Sequence, residues 1–302
     1  MYNTRGYKDS DFDSVCEFLG RIYQTDRKKP YWLPGRWEYA TYLVSPLYLS
    51  RGKPDWKEYI RIWEDASGRI IAIVNSENPD ANAYLHLDKD HRHLEEEMLK
   101  WAEEHIAVPD KKSRQTVLVW AIEGDTYREN LLQQRGYNIL DGIDYLKWQS
   151  LDSDFPGINL PGEFSITSFA EGVNPDSRFQ CAAKAFNSEP ISRAIYKITE
   201  SAPSYRANLD ICIVNQDKEV VSLCTVWFDK SNRLGYFEPV ATHPDYQGKG
   251  LGRAVLTEGL QRLRKLGAQM AYVGAYGDEN SAFYSGSGFT DSVAHRKWVK
   301  YL

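Results

Sequence analysis

One turn in the last third of the chain has the residues of an anion cradle. It runs from His243 to Arg253 as His-Pro-Asp-Tyr-Gln247-Gly248-Lys249-Gly250-Leu251-Gly252-Arg253. Leu234 to Thr242, just upstream, is a mostly apolar run that reads as a strand; downstream, Ala254, Val255, Leu256, Leu260 and Leu263 recur at helical spacing. The glycines therefore lie where a strand becomes a helix. Unpaired backbone N–H groups and the positive end of the helix dipole converge there, and small residues let a ligand approach. A pyrophosphate suits that point; a tight turn that only starts a helix is the plainer alternative.

Spacing separates three glycine motifs. A nucleotide-triphosphate loop needs Ser or Thr after Gly-Lys, where Gly250 stands, and a dinucleotide fingerprint needs a small residue where Arg253 stands. The pattern present is Gln-x-x-Gly-x-Gly, at Gln247, Gly250 and Gly252. Farther on, Met270 to Tyr276 reads as a strand and Asn280-Ser-Ala-Phe-Tyr284-Ser-Gly-Ser-Gly288-Phe289 as a short helix closed by a glycine-aromatic pair. With these two signatures the sequence resembles the GNAT family of N-acetyltransferases.

The resemblance implies an acetyl-CoA (CoA) cofactor held by Gln247, Gly248, Lys249, Gly250, Leu251, Gly252, Arg253 and Asn280, with backbone groups of Val240, Ala241 and Thr242 beside the thioester. It implies Tyr284 as the acid that protonates the departing thiolate. Asn280 and Tyr284, four residues apart, share a helix face. A strand bulge, which in the family polarises the thioester carbonyl, is expected near Val240, Ala241 and Thr242, and Pro239, lacking an N–H, suits an interruption of pairing there. An alkylamine is mostly protonated at neutral pH, so a base is needed. Glu238 is the candidate, with strand alternation placing Tyr236, Glu238 and Val240 on one face. A purely structural Glu238 and a basic His243 remain alternatives.

The elements around these residues occur twice. Residues 1–150 read as a helix over Val15 to Ile22, a hairpin (Tyr59 to Glu64, Arg69 to Asn75), a strand, a charged helix, a strand, a helix ending at Gly136 and a last strand. Residues 151–302 repeat that order after Pro156-Gly157 and Pro161-Gly162. Placing Gly136-Tyr137 on Gly288-Phe289, a shift of 152 residues, also aligns Val117 to Ile122 with Gln269 to Gly274. The fold class expected is α/β (α+β): two tandem GNAT-like domains, each a mixed, mostly antiparallel sheet flanked by helices. The first, 1–150, is degenerate and the second, 151–302, binds acetyl-CoA. Under the shift Arg128 and Leu132 replace Asn280 and Tyr284, and the first copy has no glycine turn.

Between the first helix and the first hairpin lies an aromatic segment from Pro30 to Tyr39. Trp32, Trp37 and Tyr39 are candidates to wall an acceptor pocket, with Glu38 pairing a cationic amine; packing between the copies is the competing role. His91 and His93 read as a solvated turn rather than metal ligands, and no metal is expected. The four cysteines are scattered and read as buried thiols.

At 302 residues, 42% apolar and a net charge of −5, the chain has room for two cores, no apolar run long enough to span a bilayer, and no basic tail or stripe. It is expected to be a cytoplasmic, monomeric N-acetyltransferase acting by direct attack of a small-molecule primary amine, without nucleic-acid or membrane partners. The alternative is a non-catalytic acyl-CoA-binding sensor or scaffold.

Overall fold

The computed structural model describes residues 2–28, 30–78, 80–152 and 154–302. The first half opens with strand β1 (Tyr2–Gly6) and helix α1 (Phe12–Thr25). Helix α2 (Pro34–Tyr39) then passes through a wide helical turn at Ala40–Val44 into α3 (Ser45–Ser50). The aromatic segment, expected to run as a loop, thus turns helical at Pro34, whose fixed φ suits a first helical position. Next come β2 (Ile60–Asp65), β3 (Ile70–Asn75), β4 (Asn82–Leu87), α4 (Glu95–His105), the short β5 (Val108–Pro109), β6 (Gln115–Ile122), α5 (Thr126–Gln134) and β7 (Asn138–Ser150).

The second half comprises β8 (Ser165–Ser168), α6 (Pro175–Ala185), α7 (Arg193–Glu200), β9 (Asp210–Val214), β10 (Val220–Asp229) and β11 (Leu234–Thr242), then α8 (Leu251–Lys265), β12 (Met270–Tyr276), α9 (Gly277–Gly286) and β13 (Asp291–Tyr301). Side-chain caps set several helix starts: Asn174 accepts from Asp176 N–H ahead of α6, Ser192 from Ile195 N–H ahead of α7, and Asp125 from Arg128 N–H ahead of α5.

The strands form one continuous sheet in the order β1-β2-β3-β4-β6-β13-β7-β12-β11-β10-β9-β8, with β5 paired to β6. Pairing is antiparallel except at β4/β6 and β11/β12. At the centre the two copies trade their final strands. β13 lies against β6 of the first half, β7 lies against β12 of the second, and β7 and β13 pair with each other.

Both parallel pairs splay. β11 and β12 stay in register only from Leu234–Met270 to Phe237–Val273, and β4 and β6 only at Asn82–Leu118 and Ala83–Val119. Beyond those points each pair opens a wedge.

Separate apolar clusters fill the halves. Leu85, Met98, Leu99, Val119 and Leu132 pack in the first; Phe237, Val255, Leu260 and Phe289 pack in the second. A further cluster joins them: Leu33 and Tyr23 of the first half lie among Trp227, Tyr236 and Tyr272 of the second. α2 approaches β10 and β11 so closely that a Cβ on Gly35 would fall 2.9 Å from the Cβ atoms of Trp227 and Tyr236. Each large side chain buried there contributes about 1.5–3 kcal/mol, which holds α2 against the strand carrying Glu238.

Candidate active site

The turn after β11 has the geometry that its glycines require. Gly248 (φ +76°) and Gly250 (φ +79°) occupy the left-handed region, where a side chain would be strained. Gly250 precedes α8, and the first helical bond runs from Ala254 N–H to Gly250 O at 3.0 Å. The N–H groups of Leu251, Gly252 and Arg253 therefore lie ahead of the helix's own ladder. Gln247 ties the turn back to its strand, its Nε2 donating to Thr242 O at 3.3 Å.

These groups face one cleft of about 820 Å³, lined by Val240, Ala241 and Thr242, by every residue from Tyr246 to Ala254, and by Asn280, Phe283 and Tyr284. Lys249 lies over the Tyr246 ring at 5.2 Å, and Lys249 and Arg253 give the cleft a cationic lining. A Cβ on Gly252 would sit 3.0 Å from Phe283 Cζ and 3.3 Å from Thr242 Oγ1, so only glycine leaves this floor open. Open N–H groups, cations and a floor without a side chain fit a pyrophosphate. The linker residues Pro156 to Asn159 also line the cleft. Sequence reasoning saw their Pro-Gly pair only as punctuation.

Helix α9 brings Asn280 and Tyr284 to the far wall. Asn280 Nδ2 donates to Tyr276 O at 3.1 Å, one turn back. Tyr284 is 8% exposed, and burial, helped by the charge of Glu238, raises its hydroxyl pKa. The phenol keeps its proton at neutral pH. The helix itself is held by the first half: Asp144 of β7 accepts from Gly277 N–H at 3.1 Å, and Lys147 Nζ donates to Ser281 Oγ at 3.3 Å.

On β11 the pairing with β10 shifts between Cys224–Val240 and Val226–Phe237, so Glu238 and Pro239 together face Thr225. The bulge thus begins at Glu238, ahead of the expected Val240 to Thr242. The extra residue also reverses the alternation: Tyr236 packs in the cluster between the halves, whereas Val240 packs with Phe237 in the second half's core. Val240 does not share Tyr236's face, as alternation had implied.

Behind the bulge Thr225 belongs to a buried network. Arg178 donates to Thr225 Oγ1 (2.8 Å) and Asp210 (3.2 Å), and Tyr196 and Tyr205 donate to Asp210. The network fixes β10 opposite Glu238.

Glu238 opens onto a second cavity, of about 310 Å³, on the opposite side of β11 from the cleft. Burial pushes its carboxyl pKa up to about 7, against the pull of the Arg36 cation and with the push of Glu77. Among the described residues its carboxyl oxygens have no hydrogen-bond or ion-pair partner, while its backbone carbonyl accepts from Trp227 Nε1 at 2.7 Å. A carboxyl so placed can take a proton near neutral pH.

Residues 179–289 match the family model described as the acetyltransferase (GNAT) family. The chain carries a GNAT acetyltransferase domain. It is 26% identical over 188 residues to a mycothiol acetyltransferase from Streptomyces coelicolor, a match that spans 61% of this chain and 60% of that protein. The fold as a whole is similar to a GCN5-related N-acetyltransferase from Sphaerobacter thermophilus (TM-score 0.69, 15% identity, 99% and 95% of the two chains). It is also similar to a tandem GNAT protein from the clavulanic acid biosynthesis pathway (TM-score 0.64, 12% identity, 100% and 98%). The architecture is therefore that of two tandem GNAT-like units, a mixed and mostly antiparallel sheet flanked by helices.

The aromatic segment divides over the GNAT domain's surroundings. Tyr39 lines the Glu238 cavity, and Trp32 lines a small neighbouring pocket with Arg36, Tyr84 and Tyr276. Trp37 does not wall a pocket: fully buried, it packs edge-on to Tyr7 and beside Trp56 in the first half's core. Glu38 is absent from the Glu238 cavity: its carboxylate accepts Ser204 N–H at 2.9 Å, and the residue lines a separate cavity with Gly20, Pro203 and Arg206. Helical geometry turns positions 37 and 38 away from the cavity that position 39 meets. His243 caps its own turn, Nδ1 accepting from Asp245 N–H at 3.3 Å, and is absent from both cavity walls. Sequence reading missed Arg36, Glu77 and Tyr276; the Arg36–Glu77 ion pair (2.9 Å) joins residues with no local signature.

The first half shows what the GNAT domain's site becomes without its turn. His86 stands where Glu238 does, buried, its pKa lowered to about 3 by burial and by Arg128 and Arg36, with Nε2 at 2.9 Å from Asn75 Oδ1. Arg128 replaces Asn280 but is fully buried, donating to Glu95 at 2.7 Å and to Leu85 O at 3.2 Å. The Tyr31 hydroxyl accepts Ile122 N–H at 3.4 Å across the β4/β6 wedge. In place of a glycine turn the first half has a cleft of about 840 Å³ lined by Asp88, Lys89, Asp90, Arg92, Asp125 and Arg128, with Arg92 paired to Asp125 (2.7 Å) and Arg128 to Glu95 (2.7 Å).

Proposed function

We propose that the chain is an acetyl-CoA-dependent N-acetyltransferase that acylates a small-molecule primary amine by direct attack, with residues 151–302 as the catalytic copy and residues 1–150 as a degenerate copy that binds no CoA. When bound, acetyl-CoA supplies the acetyl group as a thioester. Gln247, Gly248, Lys249, Gly250, Leu251, Gly252 and Arg253 hold its pyrophosphate, Asn280 its pantetheine arm, and the backbone at Val240, Ala241 and Thr242 lies beside its carbonyl. Glu238 removes the proton that frees the amine nitrogen. Tyr284 would give its proton to the sulfur that leaves as the amine nitrogen takes the acetyl group.

The observation that carries this reading is that consecutive residues of β11 line two cavities, Glu238 and Pro239 one of them and Val240 to Thr242 the cleft that also holds Tyr284. A sensor or scaffold has no use for a raised carboxyl and a protonated phenol placed across one strand. No helix among the described residues is long and apolar enough to cross a membrane. A cytoplasmic monomer is the matching setting: β7 and β13 already pair within one chain.

Calorimetric titration with CoA and acetyl-CoA, followed by thiol release from acetyl-CoA over a panel of amines, tests the proposal. Micromolar binding, lost in Gly250→Trp, with amine-dependent thiol release that Tyr284→Phe slows roughly 100-fold, supports it. Binding without thiol release on any amine would leave the sensor reading, and no binding would remove both.

A further inference from the structure

The cavity that Glu238 faces has a composition that selects among amines. Its walls come from both halves: Leu43 and Leu47 from the segment after α2, Phe179, Phe186 and Ile191 from α6 and the loop beyond it. Phe186 is 53% exposed, so an apolar surface stands ready at the mouth. At the inner end are two carboxylates, Glu238 and Glu77.

Two of the cations near them, Arg36 and Arg178, are already paired with carboxylates. Arg36 is paired with Glu77 at 2.9 Å, and Arg178 with Asp210 at 3.2 Å. Arg51 lies at the exposed rim and donates to Glu189 O at 3.3 Å. The cavity therefore presents one carboxyl, that of Glu238, without a paired counter-ion, between the hydrocarbon of Leu43, Leu47, Phe179 and Phe186 and the polar side chains of Tyr39, Tyr48, Asn78 and Tyr276.

From this arrangement we infer that the acceptor is a monocationic primary amine on an aliphatic or aromatic body, with no carboxylate beside the amine. The inference rests on the acetyltransferase reading and narrows it. The ammonium meets Glu238 and Glu77, and the body covers Leu43, Leu47, Phe179 and Phe186. An α-amino acid places its carboxylate two bonds from the nitrogen, hence against Glu238 and Glu77, a like-charge contact in a partly dry site. An amino sugar finds partners for some hydroxyls at Tyr39, Tyr48 and Asn78 but lays the rest over Leu43, Leu47, Phe179 and Phe186, which offer them no hydrogen bond.

Three acceptors separate these cases: 2-phenylethylamine, L-phenylalanine with the same body plus the carboxylate, and glucosamine with a polar body. Each is assayed for thiol release with acetyl-CoA and titrated by calorimetry into the CoA-loaded protein. The expected result is a kcat/KM for 2-phenylethylamine about 100-fold above the other two, matched by the binding order. In Phe186→Gln its KM is expected to rise about tenfold with kcat and CoA affinity unchanged, because only the wall is lost. Preference for phenylalanine or glucosamine, or an unchanged KM in Phe186→Gln, overturns the inference while leaving an acetyltransferase. Calorimetric binding of 2-phenylethylamine with no transfer to any amine overturns the catalytic reading and keeps the ligand class.

Discussion

Asp144 accepts the backbone N–H of Gly277 at 3.1 Å, although the two residues belong to different halves of the chain. Gly277 is the first residue of α9, so a carboxylate on the first half's last strand serves as the start signal for the helix that carries Asn280 and Tyr284. In Asp144→Ala this cap is gone. We expect a loss of about 1 kcal/mol in stability and a fall in kcat that exceeds any change in CoA affinity, read from thermal melts, steady-state kinetics and calorimetry. Equal kcat in variant and wild type would show that α9 holds its place without the first half.

Tyr284→Phe removes the proton donor while keeping the ring. Because burial keeps the wild-type phenol protonated, the loss should appear as a drop in kcat of roughly 100-fold with KM for acetyl-CoA unchanged, measured by thiol release.

The pH profile reports on Glu238. A base must be ionised to act, so wild-type kcat/KM should climb as pH rises toward about 7 and level off above it, and in Glu238→Gln the climb should vanish along with most of the rate. Stability moves oppositely. Folding raises this carboxyl's pKa, so its ionisation opposes folding, and the wild type loses stability as pH rises from the ordinary carboxylate range through about 7. At pH 8 the glutamine variant should melt higher than the wild type, and at pH 4 the difference should be gone.

Gly252→Leu tests the cradle without disturbing φ, since Gly252 lies within α8. Its Cβ would already press on Phe283 and Thr242, and the rest of the side chain would enter the cleft. CoA affinity should fall roughly 10- to 100-fold with the thermal melt little changed. Calorimetry that gives wild-type affinity would move the pyrophosphate elsewhere.

Much of the second half could be read directly. The strand from Leu234 to Thr242, the helix after Gly250 and the strand from Met270 to Tyr276 coincide with β11, α8 and β12, because apolar periodicity and glycine punctuation are local signals. α7 escaped notice because Ile195, Ile198 and Thr199 are β-branched and weaken its helical pattern. β13, Asp291 to Tyr301, carries Asp, His, Arg and three Lys or Ser positions among its apolar residues, so alternation is blurred on both faces. The bulge hid for another reason. One extra residue at Glu238-Pro239 reverses every later side chain, and whether a strand bulges depends on its partner β10, which no local window contains. The Glu238 cavity was equally invisible, since Tyr39, Phe179 and Glu238 meet only once α2 has docked on β11.

The exchanged strands bear on how such a chain can change over generations. The first half lines its own cleft with paired charges and has no glycine turn. Yet β7 stands between β12 and β13, and β13 stands between β6 and β7, so neither copy closes its sheet without the other. Residues 151–302 produced alone should aggregate, and co-production with residues 1–150 should rescue them as a non-covalent pair, which size-exclusion chromatography of the two fragments would detect. A gene arranged this way can let one copy's chemistry decay but cannot discard the copy: loss of function and loss of the part have become separate events.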